Sequence, residues 1–260
     1  MKIKVIIPNV GMARSTLDQR EAMLKTYARP DTVISVDCIA SGPESIEGDY
    51  DEVLAAPEIV ERAVAAEREG YDAVIIYCSS DPALAAAREL VAIPVVGPGE
   101  ASILTALALG HRLSIITVLE ETIPGNVGRY YRLGLPEWRL ASVRSLGIPV
   151  SRLRDDLEQT YAALLATGRR CRDEDGAHVI VLACLGMAGL GARLQKELGI
   201  PVVDPAFVSV AWAEELGAIG LVHSRISYPK PADKVRVSLC RSEPTKPGPR
   251  EGGESEAAQR

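Results

Sequence analysis

The chain has 260 residues, 47% hydrophobic and 25% charged, the make-up of a soluble globular protein with one large domain or two ordinary lobes. A net charge of −6, with no block of Lys and Arg, argues against nucleic acid and anionic membranes as partners. No apolar run is long enough for a membrane helix, and the run near Met1 is too short for a secretory leader, so a cytoplasmic protein is expected.

In chain order, apolar runs predict strands at 3–8, 32–39, 73–77 and 94–96, with helical patterns near 15–28, 57–69 and 82–90 between them. Strand alternating with helix is the order of a parallel sheet covered by helices. After a helix near 100–109 the same order returns. Strands are predicted at 112–118, 140–145, 178–183 and 201–203, with helices near 121–133, 154–172 and 188–198. Pro124 disturbs the start of the first of these helices. Residues 241–260, with E-P-T-K-P-G-P-R-E-G-G and almost nothing apolar, are expected to form a disordered tail.

The repetition extends to individual residues. Cys78 ends the third strand of the first half and Cys184 that of the second, and Leu84 and Leu190 each follow six residues later. I-P-V-V-G-P at 93–98 returns as I-P-V-V-D-P at 200–205, and Gly110 and Gly217 stand at equivalent helix ends. One single-residue insertion aligns the whole stretch. The expected fold is therefore α/β, with two pseudo-symmetric lobes, each a parallel four-stranded sheet flanked by helices. Lobe one is assigned 1–99 plus 206–240, lobe two 100–205, and the active site the cleft between them.

In open parallel sheets, ligands bind beyond the carboxyl ends of the strands, where both cysteines lie. Ser79-Ser80-Asp81-Pro82 reads as a helix start, with Asp81 as N-cap and Pro82 in the first turn. Leu185-Gly186-Met187-Ala188-Gly189 offers a turn whose N–H groups can approach a ligand. A helix N-terminus lowers the pKa of a thiol placed on it. A lone cysteine at a strand end is ordinarily core filler, but two at equivalent positions aim two thiols at one cleft. Racemisation needs that pair, one base to remove a proton from one face and its partner to return one to the other. An electron-poor substrate carbonyl makes a cofactor unnecessary.

Asn9, Thr117 and Thr122 follow first strands and either bind a polar group of the substrate or make turns. The polar loop 41–48 is placed to close over the cleft. Five widely spaced cysteines without C-x-x-C, and three scattered histidines, give neither a disulfide framework nor a metal site. Cys38, Cys171 and Cys240 have no counterpart in the repeat and are read as structural. There is no G-x-G-x-x-G after the first strand, no P-loop, no G-x-S-x-G and no lysine near the strand ends for a Schiff base. The partner is a small molecule.

Four segments together resemble the aspartate/glutamate/hydantoin racemase superfamily, and within it the hydantoin and allantoin racemase branch. They are G-P-E-S-I-E-G-D-Y-D-E (42–52), C-S-S-D-P-A-L-A-A-A-R-E-L (78–90), V-L-A-C-L-G-M-A (181–188) and G-I-P-V-V-D (199–204). The resemblance runs from Ile3 to about Leu221. It implies a cofactor-independent racemase, oligomeric by family habit, with Cys78 and Cys184 as acid and base. It also implies a site lined by Asn9, Ser45, Ser79, Thr117 and Gly186. Where the family has Phe-Gly after the first cysteine and Gly after D-P, this chain has Ser79-Ser80 and Ala83. Val10 follows Asn9 where the family has N-P-N-T, and Leu185 replaces Ala after the second cysteine. Ser79, Ser80 and Leu185 are thereby assigned to the pocket and bear on substrate choice. Leu185-Gly186 excludes the Cys-Thr-His run of glutamate racemases. Two other readings remain: an amino-acid or dicarboxylate racemase or cis–trans isomerase on the same fold, and a non-catalytic metabolite-binding protein.

Overall fold

Four strands of this chain, β1 (Lys2–Ile7), β3 (Ala73–Ile76), β5 (Leu113–Thr117) and β7 (Val179–Leu182), are buried almost throughout. Runs rich in Ile and Val, with few polar residues, suit parallel strands covered on both sides. In the computed structural model, which describes residues 1–234, they form the centres of two sheets. The first has the order β2-β1-β3-β4, with β2 at Val33–Cys38 and β4 at Val95–Val96. The second has the order β6-β5-β7-β8, with β6 at Leu140–Ser145 and β8 at Val202–Val203. Every pairing is parallel, and Val5 faces Val36 and Ile75 as Ile115 faces Val143 and Val181. The expected tail at 241–260, and 235–240 of lobe one, lie outside the described residues.

Helices cover both faces of each sheet. Ile3, Val5 and Ile7 pack on Leu17 and Leu24 of α1 (Arg14–Lys25) and on Ala206, Val210 and Ala213 of α8 (Pro205–Ala218). Ile6 and Ile76 turn the other way, onto α2 (Asp49–Arg68) and α3 (Leu84–Leu90). In the second sheet, Ile116, Ile180 and Leu182 meet α6 (Leu157–Asp173) and α7 (Gly191–Leu198). Ile115, Val179 and Val181 meet α4 (Pro98–Leu109) and Tyr130 of α5 (Ile123–Arg132). Each fully buried Ile or Val contributes about 1.5–3 kcal/mol. α4, which follows the last strand of the first sheet, packs on the second, whereas α8 packs on the first. The two helices meet, and Trp212 Nε1 donates to Thr105 Oγ1 at 3.2 Å. Residues Met1–Lys230 thus make one compact unit.

This topology fixes where a ligand goes. In each sheet the chain leaves the first strand to one side and returns for the third on the other, so a crevice opens at their carboxyl ends. Ile7 and Tyr77 stand at that point in the first sheet, Thr117 and Ala183 in the second.

Several boundaries differ from expectation for local reasons. α2 begins at Asp49 rather than 57, and Pro57 lies inside it. Asp49, Asp51 and Glu52 favour the first turn through the helix dipole. Burial of Ala55, Ile59, Ala63 and Ala66 offsets the hydrogen bond lost at the proline. α6 begins at Leu157, where Asp156 accepts from the N–H groups of Glu158 and Gln159 at 3.0 Å each. The expected helix start at Asp81-Pro82 is also wrong. Asp81 and Ala83 both have positive φ, 54° and 57°, so the chain makes a further turn and α3 starts only at Leu84. Among the described residues, no helix is long and apolar enough to cross a membrane.

Candidate active site

The two crevices open into one cavity of about 480 Å³. From the first sheet and its loops it is lined by Asn9, Ser45, Cys78, Ser79 and Ser80; from the second, by Thr117, Thr122, Cys184, Leu185 and Gly186. All ten residues singled out in the sequence therefore meet in one place. Cys78 and Cys184 are free thiols, half-buried, one on each side of the approximate symmetry. Cys38 and Cys171 are free thiols too but do not line the cavity, and Cys240 lies outside the described residues.

The two thiols have different neighbours. Cys78 Sγ is 3.3 Å from Ser80 Oγ. Cys184 caps a short 3-10 turn, Leu185–Met187, and its Sγ accepts the Gly186 N–H at 3.3 Å. The expectation that helix termini lower both thiol pKa values does not hold. Burial raises that of Cys78 despite Ser80, and pushes that of Cys184 up to about 12 despite Gly186. Burial is the largest cause at both thiols, and α3 starts only at Leu84 rather than directly after Cys78 as expected. Among charged neighbours, Glu52 and Asp81 also oppose ionisation of Cys78. For Cys184, Cys78 and Glu47 oppose it and Arg20 favours it. Negative charge on Cys78 thus disfavours charge on Cys184, so ionising both thiols together is opposed.

Asp81 does cap a helix, but a distant one. Its carboxylate accepts from the N–H groups of Gly99 (2.9 Å) and Glu100 (2.7 Å), at the start of α4. Asp204 does the matching work in the second half, accepting from Gly189 N (2.8 Å) and Ala206 N (3.1 Å). Burial raises the pKa values of Asp81 and Asp204 to about 7 and about 6. Each carboxylate ties a cysteine loop to the helix behind it.

Other wall residues were not singled out in the sequence. Thr117 Oγ1 lies 3.1 Å from Thr122 Oγ1, and Asn126 Nδ2 donates to Thr117 at 3.4 Å, a polar chain on the second-sheet side. Glu52 of α2 pairs with Arg129 of α5 at 2.6 Å, and Glu47 accepts the Val150 N–H at 3.2 Å. Loop 41–48 and the start of α2 are thereby held against the second half. Arg20 is buried and donates to the Leu185 carbonyl at 3.2 Å, holding the far side of the Cys184 turn. Arg20 had a signal: it shares the buried stripe of α1 with Leu17 and Leu24, where a charge is out of place. Tyr77 had one as well, as the hydroxyl that ends an otherwise apolar strand. No group of His, Cys, Asp and Glu among the described residues has metal-binding geometry.

A family model described as Asp/Glu/Hydantoin racemase matches residues 3–213. The hydantoin racemase of Pseudomonas sp. (strain NS671) is 38% identical over 240 residues, covering 91% of this chain and 94% of its own. Among solved structures, the allantoin racemase from Klebsiella pneumoniae superposes with a TM-score of 0.85 at 33% identity, over 92% of this chain and 96% of that one. The allantoin racemase from Pseudomonas fluorescens gives 0.84 at 34% identity, over 92% of this chain and 100% of that one. Likeness of this extent makes the protein an isomerase of the racemase type. The doubled sheet, the paired cysteine loops and these relatives lead to one assignment: the chain belongs to the Asp/Glu/hydantoin racemase family.

Proposed function

We propose that the protein racemises 5-substituted hydantoins or a closely related cyclic ureide, with Cys78 and Cys184 as its two proton carriers. One observation carries the reading: two free thiols, at equivalent strand ends of two similar sheets, line a single small-molecule cavity. Kinship with hydantoin and allantoin racemases supports the substrate class.

The reacting carbon of a hydantoin bears one hydrogen and is flanked by a ring carbonyl. A thiolate on one side takes that proton, the electron pair moves into the carbonyl, and the ring carbon becomes planar. The thiol opposite then gives its proton to the other face. The negative charge has now passed from one sulfur to the other, so the enzyme is poised to run the opposite enantiomer or to re-equilibrate with water. The ring carbonyl delocalises the charge, so the chemistry calls for no cofactor. Asn9, Ser45 and the Thr117–Thr122 pair supply hydrogen bonds to the ring, and the Gly186 N–H holds the sulfur of Cys184. As part of the same reading, the protein acts in the cytoplasm as an oligomer.

The test is incubation of single enantiomers of 5-substituted hydantoins, allantoin, aspartate and glutamate in D2O. Optical rotation should decay with uptake of one solvent deuterium at the chiral carbon of the cyclic ureides. Cys78→Ser and Cys184→Ser should each abolish racemisation. Exchange confined to the amino acids, or normal racemisation by both variants, sinks the proposal.

A further inference from the structure

Arg20 reaches the Cys184 turn from a distant part of the chain. It lies on α1 between Leu17 and Leu24, on the face packed against the first sheet, and is only 9% exposed. Its guanidinium donates to the Leu185 carbonyl at 3.2 Å, 165 residues away in sequence. The Gly186 N–H donates to Cys184 Sγ at 3.3 Å. Leu185 C=O and Gly186 N–H are the two ends of one peptide group, so a cation and the sulfur are joined through a single amide. Arg154 donates to the next carbonyls of the turn, those of Gly186 and Ala188. The carbonyls of this turn thus face cations, while its Gly186 and Gly189 N–H groups face a sulfur and the Asp204 carboxylate.

The Cys78 side is built differently. The carbonyl equivalent to that of Leu185 belongs to Ser79, and it abuts α4, where a Cβ on Gly99 would stand 2.1 Å from it. On α5, which follows β5 as α1 follows β1, the buried residue is Tyr130, a neutral phenol. Cys78 Sγ meets the Ser80 hydroxyl, and its charged neighbours are Glu52 and Asp81.

An amide whose carbonyl bonds a cation is polarised, and its N–H becomes a stronger donor, because bonds in a chain reinforce one another in a low-dielectric interior. A thiolate gains more from that donor than a neutral thiol does. A buried guanidinium is costly unless its charge is used, and the Leu185 carbonyl alone would be served as well by a neutral donor. Arg20 also favours ionisation of Cys184 electrostatically.

Resting on the reading of Cys184 as a proton carrier, we propose that Arg20 is a positioning residue for that thiol. Through the Leu185–Gly186 peptide it holds the sulfur in place and stabilises the thiolate each time Cys184 gives up its proton. The half-reaction served by Cys184 depends on Arg20, and that served by Cys78 does not. Racemisation needs both thiols, so overall turnover falls in both directions and only the separate half-reactions reveal the asymmetry.

Deuterium exchange without inversion isolates each half-reaction. Cys78→Ser leaves Cys184 to exchange one enantiomer of a 5-substituted hydantoin, and Cys184→Ser leaves Cys78 to exchange the other. Loss of the cation lowers the thiolate fraction, partly offset by the greater reactivity of a more basic sulfur, so adding Arg20→Gln should slow the first exchange about three- to tenfold. The second should be unchanged. Alkylation of Cys184 by iodoacetamide near neutral pH, read from the mass of its peptide, requires no turnover and should slow by the same factor. A merely loosened turn would expose the sulfur and speed alkylation instead. The native bond uses one guanidinium nitrogen, so Arg20→Lys keeps both cation and donor and should alkylate within about twofold of native. A larger loss in Arg20→Lys overturns the proposal, even if Arg20→Gln does not fold. So does unchanged or faster alkylation of Cys184 in Arg20→Gln, or an equal slowing at Cys78. If the native protein exchanges no hydantoin, the racemase reading fails, and the alkylation rates still decide the role of Arg20.

Discussion

Ser80 should set the pH at which the enzyme becomes active. Its hydroxyl lies 3.3 Å from Cys78 Sγ, whereas Glu52, Asp81 and burial all work against a thiolate there. A hydrogen bond to a charged group contributes about 1.5–3 kcal/mol, and about 1.36 kcal/mol corresponds to one pKa unit. Ser80→Ala should therefore raise the Cys78 pKa by roughly one to two units. A thiol is neutral below its pKa and a base above it, so the activity limb that rises with pH should move upward by that amount. Below the limb the variant should be about 10- to 100-fold slower, and the gap should close as pH rises. Ser80→Thr keeps the hydroxyl and should restore the native limb. The assay is kcat/KM for one hydantoin enantiomer across pH, with the difference in thiolate absorbance between Cys184→Ser and the variant lacking both Cys78 and Cys184 as the titration of Cys78. A limb that stays in place in Ser80→Ala, or moves as far in Ser80→Thr, refutes the reasoning.

Removing the cation partner of Glu52 should act on the same thiol from the other side. Arg129→Met leaves the Glu52 charge uncompensated near Cys78 and should raise the activity limb further, while adding Glu52→Gln should return it towards native. Asp81 should make stability depend on pH: its folded pKa of about 7 lies above the ordinary 3.8, so the folded state holds the proton more firmly. That contribution is complete below about pH 4 and is lost as pH rises towards about 7; urea midpoints should fall over that window in the native protein and fall less in Asp81→Asn. Gly99→Ala should lower both Tm and activity, since a Cβ there would stand 2.1 Å from the Ser79 carbonyl oxygen, beside Cys78.

The sheets were legible because their central strands carry β-branched residues on both faces, a pattern that needs no tertiary information to read. The site was legible for a different reason. The repeat put two cysteines in register, and the topology of parallel sheets brings third-strand ends to the crevice. What could not be read was set by contacts distant in sequence. Asp81 has the local grammar of an N-cap, and it is one, but its helix is α4, whose start the fold alone brings near. Pro57 reads as a helix boundary until burial along α2 is known. The thiol pKa values turn on burial, which no local motif reports, so the direction inferred from helix termini was reversed.

The single letter by which I-P-V-V-G-P departs from I-P-V-V-D-P follows from the same long-range contacts. In the second half, Asp204 bridges the Cys184 loop and the start of α8, and Gly191 faces it; a Cβ on Gly191 would lie 2.9 Å from Asp204 Cβ. In the first half the carboxylate comes from the opposite side of the bridge, from Asp81 in the cysteine loop. The position equivalent to Asp204 is then Gly97, where a Cβ would lie 2.5 Å from Asp81 Cγ. Each half has one bridging carboxylate with a glycine against it, supplied from opposite sides of the bridge. The exchange should be transferable. Gly97→Asp alone crowds Asp81 and should destabilise, and Asp81→Gly alone leaves the Gly99 and Glu100 N–H groups unpaired, at about 1–3 kcal/mol. Together they move the one bridging carboxylate of the first half to the position that Asp204 holds in the second. The double variant should therefore be more stable than the sum of the singles by at least about 1 kcal/mol, measured as a double-mutant cycle in urea. Additive losses would show that the two bridges are not equivalent, and that the Gly97–Asp204 difference has another origin.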